Sequence, residues 1–404
     1  MADTTKDIWN DNDGEESQPK KSRKRRGFGV FFLTLVVVLL VVLAAAYRDG
    51  TGLDALHRYF SYGSAEKVGG DTVYDYDASA KNKFAVLGDR LVVLSDISLK
   101  ILDPDGGEVW STPVNMAAPA LSQGGGKVVA YDVGGTELHV LDQNGEVPLR
   151  DQNGEALTLT DDDSEPLISA TLNDKGWLAV TTKKKNRKGW VDVYNDSMEQ
   201  VFAFKSSVRF VEDAYVTNDG AYLAAVTLGQ ENSVFVSNIV LYDLTKEDPV
   251  ADYDVSNGLV IVIGQQGGKL VTVSDTCLTF ADTKGEVSAA YPYQGAYLRE
   301  YAISGDGFTA LLLNRYQSGS VGRLVTVDAD GEELGALDVN EEIQSISAAG
   351  RYLAVQYIDS LVVYNQALEV YASLKGTDYV KEALMRQDGS VLLLSSESAS
   401  LFLP

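Results

Sequence analysis

Residues 323–334 read RLVTVDADGEEL, and residues 278–287 read LTFADTKGEV. Each opens on alternating apolar and polar side chains, the period of a half-buried strand, then breaks at an Asp and continues through Gly-Glu into a second extended run. Six further segments superpose on these two: ISLKILDPDGGEV (97–109), ELHVLDQNGEV (137–147), WVDVYNDSMEQV (190–201), NIVLYDLTKEDPV (238–250), LVVYNQALEV (361–370) and SLFLP (400–404). The residues that open the turn are Asp103, Asp142, Asn195, Asp243, Asp282, Asp328 and Asn365, with Leu403 at the equivalent place in the last unit; the spacings are 39, 53, 48, 39, 46, 37 and 38. Their mean, about 43 residues with room for four strands, is the period of a propeller blade.

Each unit also holds an earlier strand pair hinged on a tight turn, as in TNDGAYLAAV (217–226), ISGDGFTALLL (303–313) and RQDGSVLLL (386–394). Asp-Gly supplies the positive φ that short hairpins demand. A unit is therefore a four-stranded antiparallel meander, and such sheets bury both faces only by stacking around a channel. The reading is all-β, an eight-bladed propeller over 71–404; seven blades is the alternative if APALSQGGGKVVAYD (118–132) is a distorted insertion. The last unit has only three strands, so DTVYDYD (71–77) is expected to supply its outer strand and close the ring.

The chain has 404 residues, 45% hydrophobic, with one Cys and two His, which excludes disordered, collagenous and disulfide-scaffold classes. Residues 1–26 carry seven basic and six acidic groups; the part after Tyr47 carries 27 and 52, a net charge of −25. A field of that sign repels phosphate backbones, so nucleic acid is not an expected partner.

Residues 28–46, FGVFFLTLVVVLLVVLAAA, hold no charge and are about 28 Å long as a helix, close to the roughly 30 Å hydrocarbon core. Lys20, Lys21, Arg23, Lys24, Arg25 and Arg26 precede this run, whereas its other flank is nearly neutral. The positive-inside rule then predicts a disordered cytoplasmic tail (1–26), a single transmembrane helix (27–47), a juxtamembrane linker (48–70) and an extracytoplasmic propeller (71–404). The same basic cluster suits anionic lipid headgroups. Cleavage after the Ala44–Ala46 run is the rival reading, disfavoured by the length of the apolar stretch.

The DG-hinged strands alternating with LxVxDxxGE resemble the PQQ-like and WD40-like propeller superfamily across about residues 71–404. The basic tail, single anchor and acidic propeller resemble an uncharacterised family of bacterial membrane-anchored propeller proteins. The resemblance implies a ligand surface at the channel mouth and scaffolding rather than chemistry. Trp-Asp and Gly-His dipeptides are absent, and the quinoprotein Gly-x-x-Trp element is matched loosely once, by Gly106, Gly107 and Trp110, so no quinone or other cofactor is expected.

Lys183, Lys184, Lys185, Arg187 and Lys188 form the one dense basic patch of the acidic domain and are the candidate contact for an anionic ligand. DPDGGE (103–108) and DADGEE (328–333) offer calcium-like carboxylate spacing, but they stand where the repeat needs hairpin turns, and turn chemistry is the favoured reading. The run Asp161–Asp163 with Glu165 reads as a solvated loop. His139, flanked by Leu138 and Val140, reads as a packed or rim histidine, and Cys277 as a small buried hydrophobe. No nucleophile elbow, zinc-ligand cluster or phosphate loop appears, and no metal is expected. The expectation is a membrane-anchored binding or scaffolding module at the cell envelope, with a protein or an envelope polymer as partner. The alternative is a propeller hydrolase or lyase acting on an envelope glycan.

Overall fold

The structure, a computed structural model, describes residues 30–41, 54, 58–60, 62, 72–157, 165–231, 233–255, 258–304 and 307–404. Two compact units divide the chain, 1–56 and 57–404.

In the first unit, residues 30–41 form one exposed helix in which the Thr34 hydroxyl donates to the Val30 carbonyl at 2.8 Å. Twelve residues rise about 18 Å, well short of a bilayer core. Of the transmembrane helix expected over 27–47 the structure describes residues 30–41 as helix, the rest of that range lies outside the described residues, and among the described residues no helix is long and apolar enough to cross a membrane. Lys20, Lys21, Arg23, Lys24, Arg25 and Arg26 lie outside the described residues.

The second unit is an eight-bladed propeller of four-stranded antiparallel blades. In chain order the blades span residues 83–113, 119–146, 167–206, 210–254, 260–292, 297–339, 343–375 and 382–402, and we letter the strands of each a to d from the channel outward. The segment 118–132 supplies strands a and b of blade 2 (Pro119–Gly124, Lys127–Asp132), which settles the count at eight. Eight hydrophobic clusters fill the spaces between successive sheets, one for each junction of the ring.

The residues that open the repeat act through one local device. The Asp282 carboxylate accepts the N–H groups of Lys284 and Glu286, both at 2.9 Å, and Asn365 does the same for Ala367 and Glu369 at 3.0 and 2.9 Å. Asp103 and Asp328 accept N–H groups of their own turns in the same way, so the two calcium-like motifs are hairpin turns between strands c and d. A side chain that binds the backbone two and four residues on replaces bonds the turning chain cannot make.

Ring closure follows the expected route. Thr72–Asp75 pairs antiparallel with strand c of blade 8 (Ser398–Phe402) and becomes its strand d. Tyr74 and Tyr76 bury their rings there, and the Tyr76 hydroxyl lies 3.0 Å from the Ser395 carbonyl and 2.7 Å from that of Ser398. A second fastening lies upstream, within the stretch read as linker. Arg58 is 1% exposed and donates to the carbonyls of Asp388 and Pro404, both at 2.8 Å, and to the Tyr371 hydroxyl at 3.0 Å. Tyr62 meets Arg386 at 3.0 Å, and Arg386 reaches the Asp89 carbonyl at 3.3 Å. Residues 58 and 62 therefore strap blades 7, 8 and 1 together.

Candidate functional site

Antiparallel meanders give the propeller two different ends. The short a–b hairpins and Asx-stabilised c–d turns share one end, which we call the turn end; the b–c and d–a loops share the other, the loop end. Asp388, Asp89 and Pro404 all lie at the turn end, so the described residues of the strap dock there and not at the loop end.

Exposed apolar side chains gather at the loop end. Of the twenty large apolar residues after residue 56 that are exposed among the described ones, thirteen lie in b–c or d–a loops or at the strand ends that border them. Five more repeat one place near the start of strand d, and the last two are Tyr59 and Phe60 on the strap. The densest group surrounds blade 4: Val208 and Phe210 at its entry, Val234 and Phe235 at its b–c tip, Leu259 and Ile261 after it. Scattered surface apolar residues are ordinary, whereas a cluster confined to one end marks an interaction surface.

The basic residues singled out from the sequence border this cluster. Residues 183–188 form the b–c loop of blade 3, and Lys183, Lys185, Arg187 and Lys188 are exposed. Lys184 folds back, 3.8 Å from the centre of the Trp190 ring and 3.7 Å from Asp192, and Lys205 stands 4.4 Å from the same ring. Lys188 donates to the Val208 carbonyl at 2.8 Å and stands over Phe210 at 5.3 Å. The five residues thus split into a packed Lys184, a Lys188 that holds the neighbouring loop, and three free side chains. Sequence reading missed Arg209, whose guanidinium lies beside Gly229, and Lys205, which pairs with Trp190 across strands c and d. Lys205 joins the patch through strand register, and Arg209 from the d–a loop that precedes blade 4.

The channel carries a different chemistry. Asp213, on strand a of blade 4 (Phe210–Val216), accepts the Thr171 hydroxyl of blade 3 at 2.9 Å and the Ala214 N–H at 2.8 Å. Burial pushes its carboxyl up, against the pull of those bonds. Burial likewise raises Glu300 and Glu382. Glu300 and Glu382 stand on strand a of blades 6 and 8, and the charge of Glu300 adds a smaller upward push on Glu382. Lys83 of blade 1 opposes the shift at Glu382.

The remaining candidates are held in place. His139 puts Nδ1 2.7 Å from Glu146 and Nε2 3.1 Å from Glu137, so both ring nitrogens are engaged on strand c of blade 2. Cys277 is buried, with Sγ 3.4 Å from the Thr279 hydroxyl. Asp161–Asp163 lie outside the described residues.

Solved structures with the same architecture are only distantly similar in sequence. The C-terminal WD40 domain of Sif2 superposes with a TM-score of 0.58 at 13% identity, over 84% of this chain and 99% of that one. The computationally designed Ika8 protein gives 0.57 at 11%, over 82% and 99%. Quinohemoprotein alcohol dehydrogenase ADHIIG from Pseudomonas putida HK5 gives 0.52 at 10%, over 82% and 75%. At these identities the likeness concerns the fold alone. No curated protein matches the chain. Residues 62–373 match the profile of a family of unknown function, DUF5711, from within the strap through seven blades, and the chain belongs to that family.

Proposed function

We propose that this protein is a binding or scaffolding module tethered to the cell envelope, and that its loop end holds a partner protein. One observation carries the reading: among the described residues after residue 56, thirteen of the twenty exposed large apolar side chains collect at the end of the propeller opposite the strap. Apolar residues ringed by charge are the composition of a recognition surface whose core desolvates on contact. The tether in this proposal is the uncharged run 28–46 crossing the membrane, with the basic cluster Lys20–Arg26 on the cytoplasmic side and the propeller outside.

In-cell crosslinking of the full-length protein tests the surface. The triple variant Val208→Ser, Phe210→Ser, Phe235→Ser removes exposed groups only, so it folds as the parent does and should lose the protein partners the parent captures. Retention of the same partners would refute the loop-end reading. Topology is tested with an impermeant maleimide: Asp330→Cys should label in intact cells and Asp11→Cys only after lysis, and the opposite pattern would overturn the orientation.

A second reading, a hydrolase or lyase for an envelope glycan, is favoured by Glu300 and Glu382, two carboxyls on strand a of their blades that burial pushes up. It requires release of reducing ends from isolated envelope polysaccharide, abolished in Glu382→Gln; no release by the parent removes it.

A further inference from the structure

Blade 4 differs from its neighbours in one respect. Its b and c strands (Tyr222–Glu231, Val234–Asp243) are ten residues long, whereas those of the other blades have four to seven. The pairing runs from Tyr222↔Asp243 to Glu231↔Val234, so the hairpin stands clear of the sheet as a two-stranded ribbon. Strand a begins at Phe210, opposite Leu228. Beyond that point Gly229, Gln230 and Glu231 have no strand on their inner side among the described residues.

Backbone direction follows from the register. Ser237 donates its N–H to the Gly258 carbonyl and accepts the Val255 N–H, both at 3.3 Å, so its polar groups point away from strand b. Its cross-strand partner Leu228 must then point away from strand c, toward strand a. Two residues on, Gln230 presents its N–H and C=O to the same inner side, where strand a has already ended. An open ladder edge is a template for another strand, and natural edges are usually blunted by Pro, Lys or a bulge. The stretch GQ (229–230) and VFV (234–236) contains none of these.

What flanks this edge selects the occupant. Val208 is 76% exposed and Phe210 53%, where the chain enters strand a beside this edge. Arg209 lies beside Gly229, Lys188 stands over Phe210, and Arg187 is exposed next to it. This cluster is positive on a domain whose net charge after Tyr47 is −25. We infer that the inner edge of the blade 4 hairpin docks an extended segment of a partner protein in which acidic side chains alternate with apolar ones. Main-chain bonds to Gln230 give it direction, Val208 and Phe210 take the apolar side chains, and Arg187, Lys188 and Arg209 take the carboxylates. The inference rests on the loop-end reading above and specifies its ligand.

The test uses full-length protein and a labelled alternating Val-Glu octapeptide. The comparison probes are the same composition interrupted by two prolines, poly-glutamate, and phosphatidylglycerol vesicles. The alternating peptide should bind at least tenfold more tightly than the proline-interrupted one, and it should slow hydrogen exchange at the Gln230 amide. Lys188→Glu combined with Arg209→Glu should weaken binding at least tenfold with an unchanged melting temperature. Equal binding of the proline peptide or of poly-glutamate would show charge without strand addition and overturn the inference, as would binding to vesicles alone. No peptide binding also overturns it; the loop-end reading then stands or falls separately, on loss of crosslinks in the Val208, Phe210, Phe235 variant.

Discussion

Removing the hydroxyl of Tyr76 should loosen the ring at its one non-covalent seam between first and last blade. In the folded chain that hydroxyl lies within 3.0 Å of two carbonyls, Ser395 and Ser398, both in the terminal blade. Tyr76→Phe leaves two buried acceptors short of a donor, which costs about 1–2 kcal/mol. Tyr76→Ala also empties an aromatic site only 7% exposed and packed against Phe84 with ring centres 5.1 Å apart, for a total of about 4–6 kcal/mol. A domain this large shifts by about 2 °C per kcal/mol, so the melting temperature should fall by about 2–4 °C for Phe and about 8–12 °C for Ala. The control is Tyr297→Ala at a half-exposed ring, where the change should stay within about 1 °C. Deleting 71–77 should go further, because it frees the edge of Ser398–Phe402 as well as removing both tyrosines. A synthetic peptide of sequence DTVYDYD added to that deletion should raise its melting temperature again, since the strand binds only the native ring. Calorimetry decides the matter: a Tyr76→Ala transition within 1 °C of the parent, or a deletion variant that melts unchanged, would refute closure by this strand.

Two further outcomes follow from buried polar groups. Arg58→Ala should destabilise the propeller by about 2–4 kcal/mol through loss of three charge-assisted bonds, and Arg58→Lys should rescue little because an ammonium cannot reach three separated acceptors; parent-like denaturant midpoints for both would show the strap to be idle. Asp213 binds its proton more tightly folded than unfolded, so its contribution is fully present below the unfolded value of about 3.9 and is lost as pH rises through the raised folded value. Asp213→Asn should therefore melt near the parent at pH 4 and above it at pH 8, and a gap that stays constant or reverses would refute the assignment.

The parts of the fold that could be read in the sequence are those whose cause is local. An Asp or Asn that accepts N–H groups two and four residues on needs nothing from the rest of the molecule, so its period survives in the bare string, and so does the count of blades. The closing strand was visible for a topological reason: a terminal unit one strand short leaves an edge that something must cover. The strap was not visible. LDALHRYFSY (53–62) shows no period, and the burial of Arg58 depends on acceptors 313 to 346 residues away that meet only after the ring has closed.

The basic patch shows why site reading lagged behind fold reading. Five positive charges in six residues stand out in the sequence as one unit, yet folding divides them: Lys184 turns onto Trp190 and Asp192, while Lys188 crosses to the next blade. The surface they help to form is completed by Arg209, Val208 and Phe210, twenty residues on, and by a hairpin tip farther still. Each of these looks unremarkable in its own strand. What unites them is the alternation of the propeller's two ends, which sends every b–c and d–a connection to one side whatever its sequence separation. Structural demands concentrate on the other side, where the Asx turns, the DG hairpins and the strap consume the polar groups they need. Those three devices leave the loop end to other uses, and the apolar side chains and charges gathered there are the surface on which the proposed partner contact rests.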